Sequence, residues 1–249
     1  MITNGRCRRD TLTMTVRLKK ETNLPISVLA SPTILKPDDF RAMKEAGADK
    51  IGIAIDLATP ELFDLYRGKG VAGPHTWERY WQTVSNVLEI YGKRNVGIHL
   101  MVGMGETEQD MVLVMERLWN MGALNHLFSF FAEPNSKLEK RKQPSWPTYL
   151  RVQLARYLIE ERAVSSSDMD FDREGHIIAF GLPENDLREI INLGKPFMTG
   201  GCVDEEGEVA CNRPFGNCLP GEKQWNYPYV PNEDELTLIQ SHIFALKPN

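Results

Sequence analysis

Residues 50–61 have the sequence KIGIAIDLATPE, which carries the clearest signal of the fold class. The run as far as Asp56 is almost continuously apolar, as in a strand that is buried on both faces. Thr59-Pro60-Glu61 then supplies three helix-start signals: an N-cap hydroxyl, a proline in the first turn and an acidic residue near the helix N-terminus. A buried strand followed at once by a helix predicts one unit of a parallel β/α protein.

The same alternation continues on both sides of this stretch. Short connections between strand and helix are typical of parallel β/α architecture. Periodicity leaves two arrangements open, a barrel and an open doubly wound sheet, and in both the ligands bind at the C-terminal ends of the strands. Strands are predicted at 24–30, 50–56, 95–102 and 127–131, and helices at 37–46, from 59, at 77–91, 108–121, 149–162 and 233–245.

Polar residues gather where the predicted strands end. This distribution favours a ligand-binding face at that edge of the sheet. The residues concerned are Ser27, Ser31, Asp56, Thr59, Gly103, Glu106, Glu133 and Asn135.

Residues 195–229 differ from the rest, being rich in Gly, Pro, Cys, Asn and Trp without periodicity. We therefore predict a β/α domain over 1–194 and a Cys-containing extension over 195–249. Three of the four cysteines, Cys202, Cys211 and Cys218, fall within this extension. An odd number argues against disulfides, and zinc usually takes paired Cys-x2–4-Cys knuckles, whereas iron–sulfur clusters accept irregular spacing.

Composition excludes several classes of protein. The formal net charge of −5 gives no general attraction to nucleic acid. The early basic run is interpreted as a solvated face. There is no apolar stretch long enough to cross a bilayer and no signal-peptide pattern at the start, so a cytoplasmic location is expected, with no membrane or nucleic-acid partner. The basic residues are Arg6, Arg8, Arg9, Lys19 and Lys20.

Two segments, IAIDLATPE at 53–61 and LMVGMGET at 100–107, resemble the fourth and fifth strands of radical S-adenosylmethionine (SAM) enzymes, in the biotin synthase and lipoyl synthase branch. The tail, Gly201-Cys202 through Cys211-Asn212-Arg213-Pro214 to Asn226-Tyr227-Pro228, resembles two-component, archaeal-type lipoyl synthases. The resemblance implies a partial (β/α) TIM-like barrel with about five or six parallel strands.

One feature departs from that family. Its members carry a Cys-x-x-x-Cys-x-x-Cys loop that holds the catalytic [4Fe–4S] cluster, and this sequence has no such motif; its one early cysteine is Cys7. By the resemblance, Met1 falls at the second strand, so the barrel is expected to be N-terminally truncated. The radical cluster is then expected from the missing segment or from a partner radical SAM subunit.

The resemblance also implies a set of SAM-binding residues. Asp56 is expected to accept hydrogen bonds from the ribose. Gly103 and Gly105 are expected to let the backbone come close to the adenine, since glycine has no Cβ, with Met101 in the same segment and Glu106 fixing the loop. Arg67 is expected to pair with a carboxylate of SAM or of the substrate. The plainer alternatives are a helix cap at Asp56, a glycine turn at Gly103 and a solvated arginine.

Three other side chains are given structural roles. His99 is interpreted as a core residue of its strand and His75 as a helix-capping residue, while Tyr80 is expected to pack its helix.

The implied activity is sulfur insertion at an unactivated carbon of an octanoyl-type substrate, either a small molecule or an acyl group on a lipoyl domain. The resemblance makes Cys202, Cys211 and Cys218 the ligands of an auxiliary [4Fe–4S] cluster, the sulfur donor. The alternative is a non-catalytic, metal-binding partner subunit with a SAM-type fold. An aldolase-type barrel is a weaker third option, since no Schiff-base lysine or metal triad stands at the strand ends.

Overall fold

The structure is a computed structural model of the 249-residue chain. It describes residues 4–199, 202–203, 209–211, 218–219, 221 and 223–245.

A four-stranded sheet, in the order β1-β2-β3-β4, is the framework of the fold. β1 pairs with β2 in parallel, and β2 pairs with β3 in parallel, with Ala30 opposite Ile53 and Ile53 opposite Ile98. The strands are β1 (Ser27–Ala30), β2 (Lys50–Asp56), β3 (Val96–Val102) and β4 (Leu124–Ser129).

Eight α-helices are found in the described part of the chain, and several follow a strand of this sheet directly. They are α1 (Gly5–Glu21), α2 (Pro37–Glu45), α3 (Pro60–Tyr66), α4 (Trp77–Tyr91), α5 (Glu108–Met121), α6 (Trp146–Glu161), α7 (Glu184–Asn192) and α8 (Glu233–Phe244).

The α/β class with a parallel sheet is confirmed, and the architecture is consistent with a partial β/α barrel. The expected count of five or six parallel strands is too high for the described residues, whose main sheet has four. The remaining strands form two separate two-stranded sheets. These strands are β5 (Asp170–Phe171) with β6 (Ile177–Ala179), which pair antiparallel, and β7 (Cys202–Val203) with β8 (Val209–Cys211).

Local signals explain the helices that the sequence predicted. The Thr59 hydroxyl caps α3 by accepting from the backbone N–H of Leu62 at 3.3 Å, and Pro60 occupies the first turn. Gly47, just past α2, has φ +104°, the left-handed conformation that commonly ends a helix. β2, α4 and α5 begin and end at the predicted residues.

Helix α1 was not predicted as a helix. The basic residues placed on a solvated face are indeed exposed, but they lie on this helix, whose N-cap Asn4 accepts from the backbone N–H of Cys7 at 2.9 Å. Thr15 is its buried residue, whereas Met14 and Val16 are more than half exposed. An amphipathic stripe is the main sequence signal of a surface helix, and α1 lacks one.

The chain forms two compact units. Among the described residues, the first contains 4–100, 118–126 and 203, and the second contains 101–117, 127–199, 202, 209–211, 218–219, 221 and 223–245. The boundary predicted at 194/195 stays a prediction. No helix in the described residues is both long and apolar enough to span a membrane.

A pair of histidines lies on one face of the sheet in the first unit. The rings of His99 (β3) and His126 (β4) are 5.8 Å apart between centroids, edge to face. Burial and the neighbouring His126 lower the pKa of His99 to about 4. Gly97 makes room for this pair, since a methyl group there would lie 2.5 Å from Nε2 of His126. His99 is therefore half-buried beside a second imidazole rather than enclosed in an apolar core.

A buried ion pair lies inside the second unit. Glu108 and Arg151 are each 2% exposed at the side chain, and Arg151 Nε donates to the Glu108 carboxylate at 2.9 Å (Oε2) and 3.1 Å (Oε1). Glu108 Oε2 also accepts from the backbone N–H of Ile177 at 2.8 Å. The pair thus ties α5, α6 and β6 together.

Candidate functional site

Asp56 is the last residue of β2 and adopts a left-handed backbone conformation, with φ +67°. Aspartate tolerates this region better than most residues with a Cβ. Its side chain is 27% exposed, and Oδ2 is ion-paired with Arg67 Nη1 at 2.5 Å. Among the described residues, no group donates to Oδ1, so this oxygen is available to a ligand.

Arg67 follows α3 and is committed to partners within the first unit. Its Nη1 also donates to the carbonyl of Ala54, and its guanidinium lies 5.2 Å from the ring centroid of Tyr80 and 5.9 Å from that of Phe63. The carboxylate that Arg67 contacts in this structure is that of Asp56. Its predicted pairing with a ligand carboxylate stays a prediction.

The pKa of the Asp56 carboxyl group is set by its partial burial and by the neighbouring Arg67. Burial raises the pKa of Asp56, and the positive charge of Arg67 opposes that rise. Arg67 is thus the group that favours the ionised form, in which Oδ1 accepts hydrogen bonds from hydroxyl groups.

His75 and Thr33 extend the polar contacts that Asp56 and Arg67 make, and we call these residues together with Tyr80 the polar cluster. The sequence analysis did not predict that His75 and Thr33 contact each other. His75 Nδ1 contacts the Thr33 hydroxyl and lies 3.2 Å from the Tyr80 hydroxyl, which in turn accepts from Arg67 Nη2 at 3.2 Å. The interpretation of His75 as a helix cap is wrong, because Thr76 holds the N-cap position of α4. Tyr80 is fully buried, as expected, but its hydroxyl also has a polar role.

A tight turn follows β3 in the second unit. The Glu106 carboxylate accepts from the backbone N–H of Gly103 at 2.6 Å and of Met104 at 2.9 Å. Burial raises the pKa of Glu106, while these N–H groups and Arg141 oppose the rise. Glu106 therefore fixes the conformation of the loop that the sequence analysis assigned to adenine.

Arg141, which the sequence analysis did not single out, supports the same turn. Its Nε donates to the carbonyl of Gly103 at 2.8 Å. Met101, the other residue predicted to line the adenine site, is partly exposed on β3 just before the turn. Contact of Met101, Gly103 and Glu106 with SAM stays a prediction.

Replacing Gly103 by alanine is expected to lower the free energy of unfolding by about 1–2 kcal/mol. Gly103 has φ +105°, and a methyl group there would lie 2.6 Å from Cδ of Pro144. Urea denaturation monitored by circular dichroism measures the change. Gly221, where an added methyl group would meet nothing within 4 Å, is the matched control, and an equal effect at both glycines would contradict this account.

Of the three tail cysteines, Cys218 is the one whose side chain the structure describes. The backbones of Cys202 and Cys211 lie in β7 and β8, but their side chains fall outside the described residues. Cys218 is 1% exposed, and burial raises the pKa of its thiol, against hydrogen bonds from the Asn226 side chain and from the backbone N–H groups of Asn226 and Trp225. N–H groups around a sulfur suit a metal-bound thiolate. Convergence of the three sulfurs stays a prediction.

A further group of metal-ligand types, not foreseen from the sequence, occurs in the β5–β6 turn. Ligand atoms of Asp172, Glu174 and His176 lie within 4.8 Å of one another. Asp172 already pairs with His176 Nδ1 at 3.0 Å and accepts from the backbone N–H groups of His176 and Glu174 at 2.8 and 3.0 Å. These contacts explain the turn without a metal.

Comparison with curated proteins finds no match to the chain. A similar solved structure is a putative phosphonomutase from Burkholderia cenocepacia, with 11% identity and a TM-score of 0.38 over 74% of this chain and 70% of that one. Residues 5–118, which contain β1 to β3 and the Asp56–Arg67 pair, match the family model of the Radical SAM superfamily.

Proposed function

We propose that this chain binds SAM at the end of β2 and acts in radical SAM chemistry as a sulfur-inserting protein of the lipoyl synthase type. The observation that carries the proposal is the match of residues 5–118 to the Radical SAM superfamily model, with the Asp56 carboxylate at the strand end inside the matched region. The substrate is an octanoyl-type acyl group, free or attached to a lipoyl domain.

The residues of the first unit fit the nucleoside part of SAM. Asp56 Oδ1 is an ionisable acceptor with no protein partner among the described residues, and a ribose offers two hydroxyl donors. Arg67 holds the other oxygen, so the carboxylate is oriented before the ligand arrives. Preorganised acceptors of this kind lower the cost of binding.

The cysteines of this sequence do not fit the radical cluster. Its ligand loop needs three cysteines at Cys-x-x-x-Cys-x-x-Cys spacing, and the four cysteines present, at positions 7, 202, 211 and 218, do not have it. We therefore assign no step of the reaction to that cluster in this chain. The thiolates for it would come from a partner subunit or from sequence beyond these 249 residues.

The auxiliary cluster is proposed for Cys202, Cys211 and Cys218. Its role when bound would be to supply the sulfur atom that is inserted. Cys218 supports this assignment, because its buried sulfur is surrounded by N–H groups of Trp225 and Asn226.

Asp56→Asn is expected to weaken SAM binding roughly tenfold or more, because a hydrogen bond to a charged acceptor contributes about 1.5–3 kcal/mol. Equilibrium dialysis of the full chain against radiolabelled SAM measures the affinity. Asp38→Asn is the matched control, since the Asp38 side chain is 92% exposed on α2. Equal affinities of the wild type and Asp56→Asn would remove Asp56 from the site.

Metal content separates the sulfur-inserting protein from the alternative. Anaerobically purified wild-type protein is expected to contain iron and acid-labile sulfide, and Cys211→Ala to lose them, whereas Cys7→Ala on α1 should keep them. Iron that is unchanged in Cys211→Ala would favour the second candidate, a SAM-fold partner subunit. That subunit is suggested by the missing cluster motif and would form 5′-deoxyadenosine only together with a second chain.

A further inference from the structure

A continuous line of polar contacts runs from Asp56 to His75 in the first unit. It passes from the Asp56 carboxylate to Arg67, from Arg67 Nη2 to the Tyr80 hydroxyl at 3.2 Å, and from that hydroxyl to His75 Nδ1 at 3.2 Å. Thr33, in the loop after β1, contacts the same nitrogen. The line therefore joins the C-terminal ends of two neighbouring parallel strands, the position at which ligands bind in such sheets.

The direction of these hydrogen bonds fixes the tautomer of His75. A guanidinium only donates, so the Tyr80 oxygen accepts from Arg67 and its own proton needs another acceptor. Tyr80 is fully buried, and among the described residues His75 Nδ1 is the acceptor within reach. A buried hydroxyl without an acceptor would cost about 1–3 kcal/mol. The Thr33 hydroxyl is a second donor beside the single lone pair of Nδ1, and with either donor Nδ1 is the acceptor, so the neutral ring carries its proton on Nε2.

The surroundings keep the His75 ring neutral. Burial, and secondly the positive charge of Arg67, lower the pKa of His75. Asp56, Arg67 and Tyr80 are titratable or charged groups of this cluster, and Asp56 is already paired with Arg67, while Arg79 donates to the carbonyls of Pro32 and Leu35 on either side of Thr33. At neutral pH the ring thus presents a single N–H donor at Nε2.

This donor has no partner within the described residues. The ring is partly exposed, and its recorded contacts, with Thr33 and Tyr80, are all at Nδ1. Asp56 Oδ1 is likewise open, so the two ends of the line offer one acceptor and one donor. A ligand with hydroxyl groups and a further acceptor oxygen would satisfy both.

We propose that His75 is a further ligand-binding residue, whose Nε2–H donates a hydrogen bond to an oxygen of the adenosyl ligand, with Tyr80 as the residue that positions it. This inference rests on the proposed SAM site. The oxygen belongs either to the ribose or to the methionyl carboxylate of the same ligand.

Two amide substitutions at position 75 test the role of Nε2. The glutamine amide nitrogen can take the place of Nε2, whereas the shorter asparagine amide reaches only the place of Nδ1. We expect His75→Gln to bind SAM within about twofold of the wild type and His75→Asn to bind it roughly three- to tenfold more weakly. Equal losses in both variants, or none in either, would overturn the inference.

Comparing two ligands identifies the oxygen. 5′-Deoxyadenosine has the ribose but no carboxylate, so a loss in His75→Asn for SAM alone assigns the carboxylate, and a loss for both ligands assigns the ribose. Failure of the wild-type protein to bind either ligand would instead refute the proposed function. If the wild type binds both ligands and His75→Asn binds them equally well, only the role of His75 is refuted.

A spectroscopic test reports on Tyr80 independently of ligand affinity. The ¹⁵N spectrum of histidine-labelled, ligand-free protein is expected to show the His75 proton on Nε2, and Tyr80→Phe is expected to shift the Nδ1 signal because it loses its donor. Tyr91→Phe, which removes a hydroxyl bonded to the carbonyl of Phe40, is the matched control and should leave the His75 signals in place. A wild-type spectrum with the proton on Nδ1 would overturn the inference.

Discussion

Replacing Arg151 by methionine is expected to lower the free energy of unfolding by about 3–5 kcal/mol, the usual cost of removing one partner of a buried ion pair. Both side chains of the Glu108–Arg151 pair are 2% exposed. Without Arg151, the one hydrogen bond left to the Glu108 carboxylate from the described residues would be that from the backbone N–H of Ile177, and its charge would remain buried. Urea denaturation at pH 7 measures the loss.

The control for this prediction is an exposed pair of the same kind in the same unit. Arg188 and Glu184 are 41% and 42% exposed, and Arg188→Met should cost less than about 1 kcal/mol. If the two methionine variants lost similar stability, the burial of the Glu108–Arg151 pair would not be the cause.

The second large effect is on the pH dependence of stability. The pKa of His99 is lowered to about 4 in the folded protein, whereas an unfolded histidine titrates near ~6.5. Between these values the unfolded state binds more protons, so stability is fully present above the unfolded pKa and falls as the pH drops. Between pH 7 and pH 5 we expect this group to contribute a loss of about 2 kcal/mol.

The variant His99→Gln isolates that contribution. It removes the titrating group and keeps a polar side chain, so its stability should depend less steeply on pH than that of the wild type. The free energy of unfolding of both proteins is measured at pH 7 and pH 5. Subtracting the change seen in the variant from that seen in the wild type cancels the contributions of the other histidines and of the carboxylates. Identical pH dependence of the two proteins would contradict the lowered pKa of His99.

The elements that the sequence predicted well are those with local signals. Strand β2 is an uninterrupted apolar run that ends at a polar residue, and α3 begins with a threonine cap and a proline, so both could be placed from neighbouring residues. Strand β4 was placed about three residues too late, because His126 and Asn125 interrupt its apolar pattern at the start. Helix α1 was not predicted, and its larger apolar residues Met14, Val16 and Leu18 are exposed rather than packed in the core.

The candidate site was predicted as a set of positions but not as a network. Asp56 and the Gly103–Glu106 turn were found because polar residues and glycines stand where strands end. The contact of Thr33 with His75 spans 42 residues and that of Arg141 with Gly103 spans 38. Contacts of that length depend on tertiary packing, and no spacing rule in a single sequence encodes them.

The close approach of Gly97 to His126 limits which substitutions the two strands can accept. A methyl group at Gly97 would lie 2.5 Å from Nε2 and 2.7 Å from Cδ2 of His126. A side chain at position 97 therefore requires either that the His126 ring shifts or that a smaller residue stands at position 126. The order of substitutions matters as well: His126→Ala followed by Gly97→Ala avoids an overpacked intermediate, whereas the reverse order passes through one.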